Sequence, residues 1–133
     1  MKFSSKSQYG LRAMAYLADL YEEGKAYPLK IIAQEEKISF TYLEKIIGEL
    51  EKEGIVKSKK GMKGGYYLAR RPEKITVGEI IRPLEGIMNS VECLNSGRCS
   101  RLKTCRTRGA WKKIYDSLNT TLDSITLIDL IKK

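Results

Sequence analysis

Between Ser7 and Glu23 apolar residues recur at helical spacing, with Leu11, Met14, Ala15, Leu17 and Ala18 forming one stripe that Gly24 closes. This predicts a first amphipathic helix. After Pro28, Leu29, Ile32 and Ala33 give a short second helix, and Lys37-Ile38-Ser39 reads as a turn. Thr41-Tyr-Leu-Glu44 fits a capping box, and Leu43, Ile46, Ile47 and Leu50 continue the helical period until Gly54. The expected sequence of elements is helix, turn, helix.

Two short β-prone stretches follow, Ile55–Ser58 and Tyr66–Ala69, joined by Lys59-Lys-Gly-Met-Lys-Gly-Gly65, whose glycines allow a hairpin. Thr76-Val-Gly-Glu79 is a second capping-box pattern, opening a helix with Ile80, Ile81 and Leu84 inside and an end near Gly86. From Gly109 onward Trp111, Ile114, Tyr115, Leu118, Leu122 and Ile125 repeat every three or four residues. That stripe is long for so small a core and invites a second subunit. The expected fold is mainly α with a small β-hairpin: a winged helix-turn-helix DNA-binding domain over 1–75, then a unit over 76–133 with a long C-terminal dimerisation helix and, at about 90–106, a polar loop.

Charge changes the picture next. The chain has 133 residues, and its 25 Lys and Arg exceed its 16 Asp and Glu by nine, so it attracts polyanions. Between Lys57 and Arg71 six basic side chains occur with no acidic one, which aims the hairpin at phosphates. In a helix-turn-helix the opening turn of the second helix meets base edges in the major groove, which singles out Ser39, Thr41, Tyr42 and Lys45. Lys59, Lys60, Gly61, Lys63 and Gly64 are the corresponding wing candidates. The competing reading is that Thr41 and Glu44 only cap a helix and the lysines only solvate a hairpin.

Met1–Ser7 lacks the apolar core of a signal peptide, and no apolar run reaches the roughly eighteen residues of a membrane span. A cytoplasmic location, with no membrane partner, is therefore expected. The three cysteines, Cys93, Cys99 and Cys105, lie in the polar loop with five residues between successive pairs. In a reducing compartment that pattern points to metal binding or redox chemistry rather than to disulfide stapling. Soft thiolates suit iron–sulfur clusters, and zinc is the alternative, although zinc commonly takes four protein ligands at closer spacing. Arg98, Arg101, Lys103, Arg106 and Arg108 surround the thiols, and such cations favour thiolates. The chain contains no histidine, which removes the commonest general base, so an enzyme is not expected.

The segments Ser7–Met14, Ile38–Glu44, Gly61–Tyr66 and Thr76–Ile81 together resemble the Rrf-type group of bacterial winged-helix regulators that includes IscR, NsrR and CymR. The resemblance covers nearly the whole chain. It implies a homodimer with paired C-terminal helices, binding double-stranded DNA at an approximately palindromic operator. In cluster-binding members three cysteines at this spacing hold an iron–sulfur cluster, so the resemblance assigns Cys93, Cys99 and Cys105 as ligands, with 2Fe-2S preferred over 4Fe-4S. Their histidine, three residues after the last cysteine, is replaced by Arg108, which cannot ligate. Some members instead take a carboxylate from the partner's first helix. The matching position is Gln8, a poor substitute. The expected function is a DNA-binding transcription regulator whose operator affinity follows cluster state. The alternatives are a cluster-free regulator of the same fold sensing thiol oxidation or a small effector, and a basic RNA-binding domain.

Overall fold

The computed structural model describes residues 2–86 and 103–131. Helix α1 spans Ser5–Asp19, with the Ser4 side chain accepting from the Ser7 backbone N–H at 3.2 Å. Its buried face runs through Gly10, Ala13, Met14, Leu17 and Ala18, while Leu11 and Ala15 flank it half-buried. The helix stops short of Glu23, and Gly24 supplies a left-handed turn afterwards. Helix α2 spans Leu29–Glu36, ends on Lys37 in left-handed conformation, and buries Leu29, Ile32 and Ala33.

Helix α3 spans Phe40–Lys52 and buries Leu43, Ile46, Ile47 and Leu50, the four positions the periodicity selects. Its opening differs from the expected capping box. Ser39 is the N-cap, its hydroxyl accepting from the Tyr42 backbone N–H at 3.4 Å. The third helical residue is then Tyr42, which has no carboxylate to reach back, so Thr41 and Glu44 form no box. Both are left exposed.

Strands β1 (Val56–Lys59) and β2 (Gly65–Leu68) pair antiparallel, with Val56 opposite Leu68 and Lys59 opposite Gly65. A 3-10 turn at Pro72–Lys74 leads to α4, Val77–Glu85. Here the capping box forms as expected: Glu79 donates its N–H to Thr76 Oγ1 at 3.2 Å, and Thr76 N–H donates to the Glu79 carboxylate at 2.8 Å. Gly86 ends the helix.

The C-terminal stripe is divided between two helices, α5 (Arg108–Ser124) and α6 (Leu127–Ile131). Ile125 is extended, its carbonyl accepts from Val77 N–H at 2.8 Å, and Leu127 N–H donates to the Ile75 carbonyl at 3.0 Å. These two bonds exchange helix for a short antiparallel link to the segment before α4. Asp129 then accepts from Thr126 N–H at 3.0 Å and starts α6. Leu127 joins Ile80, Leu84 and the buried faces of α1 to α3 in one apolar cluster, while Val77, Ile81 and Leu122 form a smaller one beneath α5.

Glu85 ties the end of α4 to the start of α1. Its carboxylate accepts from Ser4 N–H at 3.2 Å, from Ser4 Oγ at 3.0 Å and from the buried Ser7 hydroxyl. Burial pushes this carboxyl up, but the hydrogen bonds from Ser7 and Ser4 outweigh it and hold it below the usual carboxylate range. Glu79 is likewise held down, its burial outweighed by hydrogen bonds from Thr76 and Arg70. A depressed folded-state pKa contributes stability above the unfolded value, and that contribution is lost as pH falls through the folded one. Stability in urea is therefore expected to decline as pH is lowered from about 6 to about 3. Glu85→Gln is expected to flatten that decline, and an unchanged slope would show that the carboxylate adds nothing.

Candidate nucleic-acid interface

The core consumes one face of α3 and leaves the other in water. Phe40, Thr41, Glu44 and Lys45 are exposed, as is the N-cap Ser39. Three of the four residues expected in the reading turn, Ser39, Thr41 and Lys45, therefore stand on an open surface. Tyr42, the fourth, is half-buried: its ring meets Tyr9 edge-on at 5.8 Å and its hydroxyl lies 3.1 Å from Ser5 Oγ. The Arg12 guanidinium covers the other partner of that pair, 5.1 Å from the Tyr9 ring centre. Tyr42 is thus braced against α1, an arrangement that fixes the orientation of the first turn of α3.

Two residues of this surface escape the sequence pattern. A capping box accounts for Glu44, yet its freed carboxylate stands on the exposed face beside Lys45. Phosphates repel such a group, whereas the exocyclic amino group of cytosine donates to it. Phe40 precedes Leu43 by three residues and so reads as an inward-facing position, yet it is exposed. A cap placed at Thr41 hides both.

In the wing, Lys59, Lys60, Gly61 and Lys63 are exposed and Gly64 half-buried. The six basic residues along this stretch are not equally available. Arg70 pairs with Glu79 at 3.0 Å and Arg71 with Glu73 at 3.3 Å. The Lys59 ammonium donates to the Gly24 carbonyl at 3.3 Å, which anchors its stem but leaves its charge uncancelled. Among the described residues no carboxylate pairs with Lys57, Lys59, Lys60 or Lys63, so these four set the potential of the hairpin. β2 is fastened to the linker before α2 by two backbone bonds, Tyr27 N–H to the Tyr66 carbonyl at 2.9 Å and Tyr66 N–H to the Tyr27 carbonyl at 2.8 Å.

Of the proposed cluster ligands, Cys93 and Cys99 lie outside the described residues. Cys105 is half-buried just before α5, its sulfur 3.2 Å from Thr107 Oγ1. Arg108 opens α5 with its Nε buried and without a hydrogen-bond partner among the described residues. Gln8 is exposed on α1 and donates its amide to the Phe3 carbonyl at 3.0 Å. Among the described residues no group of three or more Cys, Asp or Glu is arranged to hold a metal. They do not by themselves make a cluster site. No described helix is long and apolar enough to cross a membrane.

A family model described as "Rrf2: Iron-dependent Transcriptional regulator" matches residues 3–133. The chain belongs to the Rrf2 family of transcriptional regulators. It is 42% identical to the regulator CymR of Bacillus subtilis over 98% of this chain and 89% of that protein. The solved structure of that CymR, described as the global cysteine regulator, superposes with a TM-score of 0.80, covering 98% of this chain and 96% of the other. An IscR structure from T. potens is 41% identical, with a TM-score of 0.78 over 98% and 86% of the two chains. IscR of Escherichia coli is 34% identical over 98% of this chain and 80% of its own. This Rrf2-family chain is therefore a DNA-binding transcription regulator and not an enzyme, with the winged helix-turn-helix of its relatives.

Gly65 is where the wing meets the body most tightly. At φ 137° it occupies the left-handed half of backbone space, and a Cβ there would strike the Tyr27 carbonyl and lie 2.6 Å from Pro28 N. Gly65→Ala is expected to keep the far-ultraviolet helical signal while shifting the wing and lowering DNA affinity. Wild-type affinity in the variant would show that wing placement does not matter.

Proposed function

We propose that this Rrf2-family chain is a homodimeric regulator of an approximately palindromic operator, with residues 1–75 reading double-stranded DNA and 76–133 supplying dimerisation and signal reception. One observation carries the reading: the opening turn of α3 stands free of the core, followed by a hairpin with four lysines that no described carboxylate neutralises. Ser39, Thr41 and Lys45 would meet base edges, with Tyr42 bracing the turn. Lys59, Lys60 and Lys63 would meet phosphates, and Gly61 and Gly64 would let the wing approach the backbone. Dimerisation is assigned to α5, where Trp111 and Ile114 are 41% and 50% exposed on an otherwise amphipathic helix.

Each lysine that neutralises a phosphate displaces counterions. Lys60→Ala with Lys63→Ala is therefore expected to weaken binding to all duplexes alike and to reduce the salt slope by about 0.9 for each phosphate no longer neutralised. A change confined to one duplex sequence would assign these lysines to base recognition instead.

Two signal chemistries follow from different observations. Overall likeness to CymR favours a cluster-free regulator in which thiol oxidation or a small effector sets DNA affinity, with the half-exposed Cys105 as one oxidisable group. The even spacing of Cys93, Cys99 and Cys105, together with the likeness to T. potens IscR, favours the second reading, an iron–sulfur cluster on those three thiolates. Its fourth ligand would come from elsewhere; Gln8, an amide already bound to Phe3, is a weak candidate. Anaerobic purification with iron and sulfide analysis separates them. The cluster reading expects iron and sulfide in equal amounts, lost in Cys99→Ala, with operator affinity differing between loaded and stripped protein. The cluster-free reading expects a colourless, iron-free protein whose affinity changes on thiol oxidation or on addition of an effector. Identical affinity across loaded, stripped, oxidised and Cys99→Ala protein would overturn both thiol-based signals.

A further inference from the structure

Phe40 is a large aromatic side chain at the first position of the helix that presents the reading surface, and it is 47% exposed. It stands at the edge of the main apolar cluster, beside the buried Ala33 and Ile38. Its neighbours form a shallow groove of about 410 Å³ between α2 and α3, lined by Lys30, Ala33, Gln34, Ile38 and Phe40. The floor is apolar, because Ala33 and Ile38 are buried, and the rim carries Lys30, which no described carboxylate pairs. An aromatic ring held in water at the edge of a basic surface calls for an apolar group presented by a polyanion. In the major groove of DNA one group meets that description, the C5-methyl of thymine.

We propose that Phe40 is a specificity-determining residue that recognises a thymine methyl, with Lys30 taking a backbone phosphate across the groove. The proposal rests on the operator-binding reading above and adds the base that the opening turn selects. Ser39 sets the geometry. As N-cap it makes Phe40 the first helical residue, so the ring leaves the helix from the turn that approaches base edges, one turn ahead of Glu44. The ring cannot hydrogen-bond, so it distinguishes thymine from cytosine or uracil only through the methyl group.

The test uses the full-length dimer and a duplex that the wild-type protein enriches from a random pool. Each thymine is replaced singly by deoxyuridine, which removes only the methyl. Wild-type binding, read by fluorescence anisotropy, is expected to weaken about fourfold at one position per half-site, the equivalent of about 0.8 kcal/mol for one buried carbon group. Phe40→Ala is expected to bind the thymine and deoxyuridine duplexes equally, and Phe40→Leu to restore the preference. Unaltered circular dichroism and melting temperature in Phe40→Ala show that the loss lies in recognition rather than in folding. Equal weakening in wild type and Phe40→Ala at every position overturns the proposal. So does a change of oligomeric mass in Phe40→Ala, which would assign the ring to a protein partner. A dimer that binds DNA yet shows no such coupling leaves the operator reading standing, whereas one that enriches no duplex overturns both.

Discussion

Four side chains of α3, Leu43, Ile46, Ile47 and Leu50, are entirely withdrawn from solvent, and the functional surface depends on their burial. Apolar burial is non-directional, but on a helix it fixes rotation about the axis: once these four point inward, Thr41, Glu44 and Lys45 must point outward. The constraint is tightened by α1, whose Gly10 lies so close to Leu84 and to Ile46, 3.2 Å from its would-be Cβ, that a larger residue has no room. Helix α3 is therefore held from α1 and α4 at once, and the Tyr9–Tyr42 contact extends that hold to its first turn.

The wing obeys a different constraint. A two-stranded hairpin is marginal in water, and this one gains support from outside itself. Val56 and Leu68 bury one end in the core, and Tyr27 adds a second backbone partner to β2 beyond them. The lysine-bearing turn consequently extends from a fixed base. The charges divide by position: arginines near the body are cancelled by Glu73 and Glu79, while lysines toward the tip are not. Positive potential is thereby concentrated on the hairpin, away from the folded core.

α5 and the segment after it are joined to the rest of the fold through hydrogen bonds as much as through apolar contact. Arg82 on α4 meets Asp123 at 2.8 Å and Asn119 at 3.2 Å, both on α5. Ile125 and Leu127 exchange backbone bonds with the segment around Ile75. Glu85, just before the cysteine-containing stretch, holds the N-terminus of α1. The end of α4 is thereby tied to the helix that frames α3.

Much of this is legible in the chain itself. The buried faces of the first four helices, the Thr76–Glu79 capping box, the hairpin glycines and the excess of lysine in the wing each follow from local stereochemistry or from counting charge, and each stands where the sequence pattern puts it. The three cysteines and their spacing are equally plain. Tertiary structure decided matters that depend on distant partners. It moved the cap of α3 to Ser39 and so released Glu44. It braced Tyr42 on Tyr9, and it neutralised Arg70 and Arg71. It also broke the last helix at Ile125, because the carbonyl there finds a backbone donor forty-eight positions earlier, in Val77. Periodicity determines which face of an element is buried; only the folded chain determines which exposed groups have already found a partner and which remain available to a ligand.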